Sequence, residues 1–184
     1  MKWVRCVLTI LIVLFGAIYS YGDTLSFSPD KAEYYKNQRY TFYDSVLRDI
    51  KLFKYDQPIT LYIPIDIPTG MTIKNAKLTA QYEARNFNSK NIYVAFKTSF
   101  GSEGEGRDIY NIPKTASLLW SLREATSTQV TASDNLASEL NQVLANTNSN
   151  QGKLLLLLCP TQSCEHEYRS EEIEIEDLRL VVEL

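Results

Sequence analysis

The sequence predicts an all-β chain: an antiparallel β-sandwich of the jelly-roll kind, with one short α-helix. Three observations carry this reading. Residues 58–84 hold two runs of apolar alternation around a Pro68-Thr69-Gly70 corner. Only residues 133–145 show a helical stripe with a polar residue to start it. Five consecutive leucines, Leu154 to Leu158, follow Lys153. Period-two alternation marks strands packed on one face and wet on the other. Many such strands with a single helix, in one chain, form a sandwich rather than an α/β sheet.

In the first alternating run Ile59, Leu61, Ile63, Ile65 and Ile67 share one face, and Thr60, Tyr62, Pro64 and Asp66 share the other. In the second, Leu78, Ala80, Tyr82 and Ala84 point one way, and Lys77, Thr79, Gln81 and Glu83 the other. Pro64 cannot donate a ladder hydrogen bond, so its strand lies near an edge or carries a bulge. Leu25 and Phe27 suggest a short opening strand, and residues 46–53 another. Residues 91–100 follow, with Ile92, Val94 and Phe96 on one face, and then a short strand over 117–122 around Trp120.

The helix is predicted over 133–145, capped by Ser133, with Leu136, Leu140, Val143 and Leu144 as its apolar stripe. The leucine run after it lacks alternation. Such a strand is buried on both faces or covered by another element, and the preceding helix is the nearest cover. Exposed, it would invite aggregation. In the last strand Ile173 and Ile175 have one parity, and Leu178, Leu180, Val182 and Leu184 the other. A bulge at Glu176-Asp177 is expected there, returning both sets to the core.

Residues 1–22 read as a cleaved signal peptide. Lys2 and Arg5 precede an apolar run over 6–18, and small residues Ser20 and Gly22 suit cleavage before Asp23. The apolar run falls short of the roughly 20 residues that span a bilayer. Cleavage therefore leaves no transmembrane anchor, and residues 23–184 form one domain. Losing two cations moves the net charge from −3 to −5. That balance excludes nucleic acid as a natural partner, because phosphate binding needs a basic patch. The expected location is secreted, extracellular or at the cell surface.

Two cysteines remain after cleavage, Cys159 and Cys164, in the run CPTQSC. In an exported chain they are expected to form a disulfide around a tight loop. A zinc site is disfavoured, since His166 is the only histidine and the spacing fits no common pattern. His166 also stands between Glu165 and Glu167, a setting for a solvated side chain rather than the base of a nucleophilic triad. No catalytic residue is assigned. Two-carboxylate glycoside hydrolysis remains a distant third reading. The richest acidic run, Glu171, Glu172, Glu174, Glu176 and Asp177, already reads as the wet face of an edge strand.

Two kinds of site stay open. Glu103, Glu105 and Asp108, in the glycine-rich run GSEGEGRD, are hard oxygen ligands that suit a structural calcium ion, as are Asp44 and Asp49. No other cofactor is expected. The second is aromatic glycan binding. Sugar rings stack on aromatic faces, while neighbouring amides and carboxylates take the hydroxyls. Tyr34, Tyr35, Tyr40 and Tyr43 cluster in a polar context, and Tyr62 and Tyr93 are placed on the wet faces of their strands. Asn37, Gln38 and Arg39 supply polar groups nearby. Tyrosine is equally at home on an ordinary half-buried strand.

The order of these pieces resembles DNRLRE-type extracellular domains. There an aliphatic strand leads to a proline-glycine corner, as IDIPTG does here, followed by a strand like TIKNAKLTAQY. A helical segment, SDNLASELNQVLAN, then precedes KLLLLL, and YRSEE and DLRLVVEL lie where those domains carry their closing segments. FSPDKAEYYKNQ is loosely similar to their opening strand, and Trp120 aligns with a tryptophan they carry mid-chain. The chain departs from the pattern in lacking the proline before the closing strand and in carrying CPTQSC. The resemblance covers most of residues 23–184. It implies a non-catalytic β-sandwich of secreted and surface proteins, some of which bind polysaccharides such as alginate while others are structural. Two roles follow. One is a glycan-binding module of the cell surface or extracellular matrix. The other is a structural or adhesive protein that partners surface or matrix proteins and self-assembles as a homo-oligomer through β-strand contacts.

Overall fold

The computed structural model describes residues 23–36, 39–43, 49–52, 58–101, 116–164 and 172–184. Nine strands and one helix lie among them. In chain order they are β1 (Thr24–Phe27), β2 (Lys31–Lys36), β3 (Arg39–Tyr43), β4 (Asp49–Leu52), β5 (Ile59–Asp66), β6 (Asn75–Phe96), β7 (Ser117–Ala132), α1 (Ala137–Thr147), β8 (Gln151–Cys159) and β9 (Glu172–Glu183). Every described strand pairing is antiparallel. The strands form one continuous sheet in the order β1-β9-β6-β8-β5-β2-β3, with β4 also on β9 and β7 also on β6.

The 22-residue β6 makes the sheet curl. Its first half pairs with β9, from Asn75↔Glu183 to Arg85↔Glu172. Its end pairs with β8, from Tyr93↔Cys159 to Phe96↔Leu156. One strand thus belongs to both halves, and the halves turn their apolar faces toward each other. The main core joins Leu78, Ile175, Leu180 and Val182 from one half with Leu61, Ile63, Leu154 and Leu156 from the other. This is the antiparallel β-sandwich that the alternation predicts, and burying the two inner faces against each other is its main driving force.

The 58–84 stretch folds as expected on its inner side. Ile59, Leu61, Ile63, Ile65 and Ile67 are all core, as are Leu78, Ala80, Tyr82 and Ala84. The corner is a type II turn: Met71 N–H bonds to Pro68 O at 3.2 Å, and Gly70 takes φ +81°. Pro64 lies where pairing stops on one side. β5 pairs with β2 only as far as Tyr62, while β8 accompanies it to Asp66. Asp30 N–H bonds to Tyr62 O, so Tyr62 and, by parity, Pro64 direct their backbone groups toward β2. The missing N–H of Pro64 therefore faces the side without a partner strand.

The bulge in the last strand is present. Between the pairs Thr79↔Arg179 and Gln81↔Glu176 the register shifts, and Asp177 takes φ 49°. The extra residue lets Ile173 and Ile175 share the core with Leu178, Leu180, Val182 and Leu184.

Four expectations need correction. First, α1 begins at Ala137 rather than at 133, and Ser133 does not cap it. Ser133 extends the β7 ladder instead: its N–H bonds to Leu78 O, and its Oγ accepts Leu78 N–H at 3.0 Å. Asn135 Oδ1 takes the Ala137 N–H at 2.9 Å and also the Ala76 N–H. Asn141 adds a two-way bond to Ile73 N–H and O, so two asparagines dock α1 onto the entry to β6.

Second, the helix is not what covers the leucine strand's second face. Leu154, Leu156 and Leu158 enter the main core, which includes Leu136, Leu140 and Val143 of the helical region. Leu155 and Leu157 point the other way, into a separate cluster with Tyr62, Ala95, Ala116 and Cys159. Third, β7 extends ten residues beyond Leu122, to Ala132. From Arg123 on, REATSTQVTA is almost wholly exposed, so it has no periodicity to detect, and it is held by backbone pairing with β6. Fourth, β9 is not an edge strand, because it lies between β6 and the pair β1 and β4. Its glutamates line a wet face in the interior of the sheet.

Candidate functional site on the outer face of the central strand

Odd-numbered residues of β6 point away from the main core along both of its halves. Lys77, Thr79, Gln81, Glu83 and Arg85 do so in the first half, and Asn91, Tyr93 and Ala95 in the second. This outer face has two chemically different regions.

Toward the start of β6 the face is polar. Gln81 Nε2 donates to Asp177 Oδ2 at 3.2 Å, and Thr79 Oγ1 donates to Arg179 O at 3.4 Å. Thr128 Oγ1 donates to Glu83 Oε1 at 3.3 Å from the β7 side. Arg85 and Glu83 lie 3.5 Å apart, and Arg179 and Asp177 3.7 Å. Amide, carboxylate, hydroxyl and guanidinium groups thus stand on three adjacent strands with their positions mutually restrained.

Toward the end of β6 the face carries an aromatic ring. Tyr93 is half-buried and packs against the cluster that holds Leu155, Leu157 and Cys159. Its register partners are Leu118 on β7 and Cys159 on β8. Two residues back, Asn91 is paired with Ser121, whose Oγ donates to Asn91 Oδ1 at 2.9 Å. Leu118 is exposed beside them. The Cys159–Cys164 disulfide is formed as expected, with Cα atoms 4.8 Å apart. It brings the exposed Gln162 and Ser163 up to the start of β7, where Ala116 N–H bonds to Gln162 O at 2.9 Å.

Tyr62 is corrected. It does not project into solvent but is fully buried in the second cluster. Its hydroxyl donates to Glu33 Oε2 at 2.7 Å, and Lys31 Nζ lies 5.7 Å from its ring centroid. The reason is the double-sided burial of β8. The odd leucines need a cover, and Tyr62, which pairs directly with Leu155, supplies part of it.

The remaining candidates are described by their backbone alone or lie outside the described residues. Tyr34 and Tyr35 lie in β2 and Tyr40 and Tyr43 in β3, with Tyr35 opposite Tyr40 and Tyr34 opposite Thr41; for these four only the backbone is described. Arg39 opens β3, and Asp49 opens β4 opposite Glu176. Glu103, Glu105, Asp108, Asp44, Asn37, Gln38, His166, Glu171 and the proposed signal peptide, residues 1–22, lie outside the described residues. Among the described residues no three His, Cys, Asp or Glu side chains are grouped to hold a metal ion. No helix among them is long and apolar enough to cross a membrane.

Asn91 and Ser121 were not singled out from the sequence. Neither belongs to a motif; Asn91 shares the outward parity of Tyr93 on β6, and the β6–β7 register adds Ser121.

No model of a known protein family matches the chain, and no curated protein matches it. Among solved structures, it is similar to a family 29 carbohydrate-binding module from Piromyces equi. That likeness has 8% sequence identity and a TM-score of 0.30, and covers 88% of this chain and 80% of that one.

Proposed function

We propose that the chain is a secreted, non-catalytic β-sandwich module that binds glycans on the outer face of β6. The observation that carries this reading is the grouping of Tyr93 with Asn91 and Ser121. A half-buried ring is held rigidly by the cluster beneath it, next to an amide and a hydroxyl already fixed by their own hydrogen bond. A ring offers a stacking surface to a sugar, and the amide–hydroxyl pair offers both donors and acceptors to its hydroxyl groups. Because the supporting strands do not need to reorder, little entropy is lost on binding.

The polar region lies on the same strand, before β6 turns from the half of the sheet that it shares with β9 into the half that it shares with β8. The resemblance to DNRLRE-type domains, some of which bind polysaccharides, also supports glycan binding.

Affinity electrophoresis in gels loaded with neutral and acidic polysaccharides tests the proposal. The full chain is expected to be retarded in at least one gel. Tyr93→Ala is expected to weaken retardation about tenfold or more, and Asn91→Ala less, with both variants still unfolding cooperatively. Equal mobility of the wild type in every gel overturns the reading.

A further inference from the structure

The leucine strand β8 and the last strand β9 are both interior to the sheet. Among the described residues β7 is one of the strands with an open edge. Among the described residues β7 pairs with β6 alone. Ser133 N–H bonds to Leu78 O, so residues of its parity, Thr131 and Gln129, direct their backbone groups toward β6. Val130 and Ala132 direct theirs the other way, toward the free side.

Natural sheets protect such edges with charges, prolines or short strands. Residues 125–132, ATSTQVTA, contain no charge, no proline and no glycine. They are also rich in threonine, which favours extended backbone. A bulge occupies 126–128, between the pairs Ala84↔Ala125 and Tyr82↔Gln129, and leaves 129–132 as the regular part of the edge. In its centre stands Val130, a large apolar side chain that is 79% exposed. Val130 is paired with Gln81, so it stands on the polar outer face with no apolar neighbour in its own pair.

We propose that this edge is an interface with a second copy of the chain, formed by antiparallel pairing of β7 with β7 about a two-fold axis through Val130. The free N–H and C=O groups of Val130 in each copy then bond to one another. Gln129 lies opposite Thr131 of the partner. The two exposed valines pack side by side, which removes apolar surface from water. No charged residue meets another across the axis, since residues 125–132 carry none. The contact is isologous and closes at two copies. It joins the two sheets edge to edge and sets the outer faces of both copies side by side.

Sedimentation velocity on the full chain, from micromolar to millimolar concentration and without glycan, tests this pairing independently of ligand binding. The wild type is expected to double in mass as concentration rises. V130K places two ammonium groups at the axis, and V130P removes an outward N–H without touching the ladder to β6; both are expected to stay monomeric. Circular dichroism and unfolding midpoints close to wild type show that V130K is folded, and V130K alone decides the matter if V130P unfolds. Directly paired residues whose backbones bond to each other lie about 5.5 Å apart at Cα, within disulfide range, so V130C is expected to form a covalent dimer on mild oxidation. A wild type that is monomeric throughout overturns the proposal. So does a V130K variant that dimerises like the wild type, assembly beyond two copies, or a dimer that V130C fails to trap.

Discussion

Tyr62 donates its hydroxyl proton to the Glu33 carboxylate across neighbouring strands, at 2.7 Å, with both side chains sealed from solvent. Lys31 Nζ stands 3.4 Å from the other carboxylate oxygen. A buried carboxylate is tolerated only while its oxygens are answered. Tyr62→Phe removes one donor and leaves the rest of the ring in place. It is expected to lower unfolding free energy by about 1–3 kcal/mol, the range for leaving a charged buried acceptor short of a partner. Urea unfolding checks this: the midpoint should fall at constant slope. An unchanged midpoint would mean that Glu33 does not depend on Tyr62.

The leucine strand makes a sharper prediction. Leu156 lies in the main core and Leu155 in the second cluster, and both are fully buried. In a strand with one wet face, alternate positions differ widely in tolerance. Here Leu155→Ala and Leu156→Ala are both expected to cost about 2–5 kcal/mol, the range for cavities left by buried leucines. Exposed Leu118, replaced by Ala, should cost far less. A Leu155 variant as stable as wild type would contradict the double-sided burial.

How much of this was legible in the residues follows from where information lies. The inward parity of Ile59 to Ile67 is readable because one face is buried along the whole run. The bulge at Asp177 is readable because apolar parity flips there. The Cys159–Cys164 bond is readable because the two cysteines stand so close in CPTQSC. Tyr62 is not readable as buried, since its own strand presents it beside Pro64 and Asp66, both exposed. Its cover comes from β8 and Ala116, which are distant in sequence. The second half of β7 is unreadable for the opposite reason: with neither face buried, it has no periodicity to detect. Of the candidate site, Tyr93 and Asn91 share an outward parity that alternation shows, but Ser121 joins them only through the β6–β7 register.

The disulfide closes a loop with a sequence separation of five. Its cover over Leu155 and Leu157 makes it structural, because Cys159 belongs to that second cluster and Cys164 packs against it. Loop-closure entropy for so short a loop gives about 2 kcal/mol of stabilisation. Reduction, or replacement of both cysteines by serine, is expected to lower stability by about that amount without unfolding the chain. Chemical denaturation with and without reductant checks it. Loss of all cooperative unfolding on reduction would show that the loop carries more of the fold than its length accounts for.

Two glycines separate conformational from steric constraint. Gly70 has φ +81° at the third position of the 68–71 turn, and a Cβ built there would meet nothing within 4 Å. Gly152 has no such φ, but a Cβ there would come within 2.4 Å of the Phe100 ring. Gly70→Ala is therefore expected to cost about 1 kcal/mol through backbone strain alone. Asparagine, which tolerates left-handed backbone, should recover part of that loss. Gly152→Ala is expected to cost about 1–3 kcal/mol by overpacking, and asparagine there should be worse than alanine because it is larger. The decisive comparison is the double variant Gly152→Ala with Phe100→Leu. Trimming the ring should restore stability lost at Gly152, while the same change at Phe100 should do nothing for Gly70→Ala. Equal behaviour of the two glycines toward Phe100→Leu would remove the steric account of Gly152.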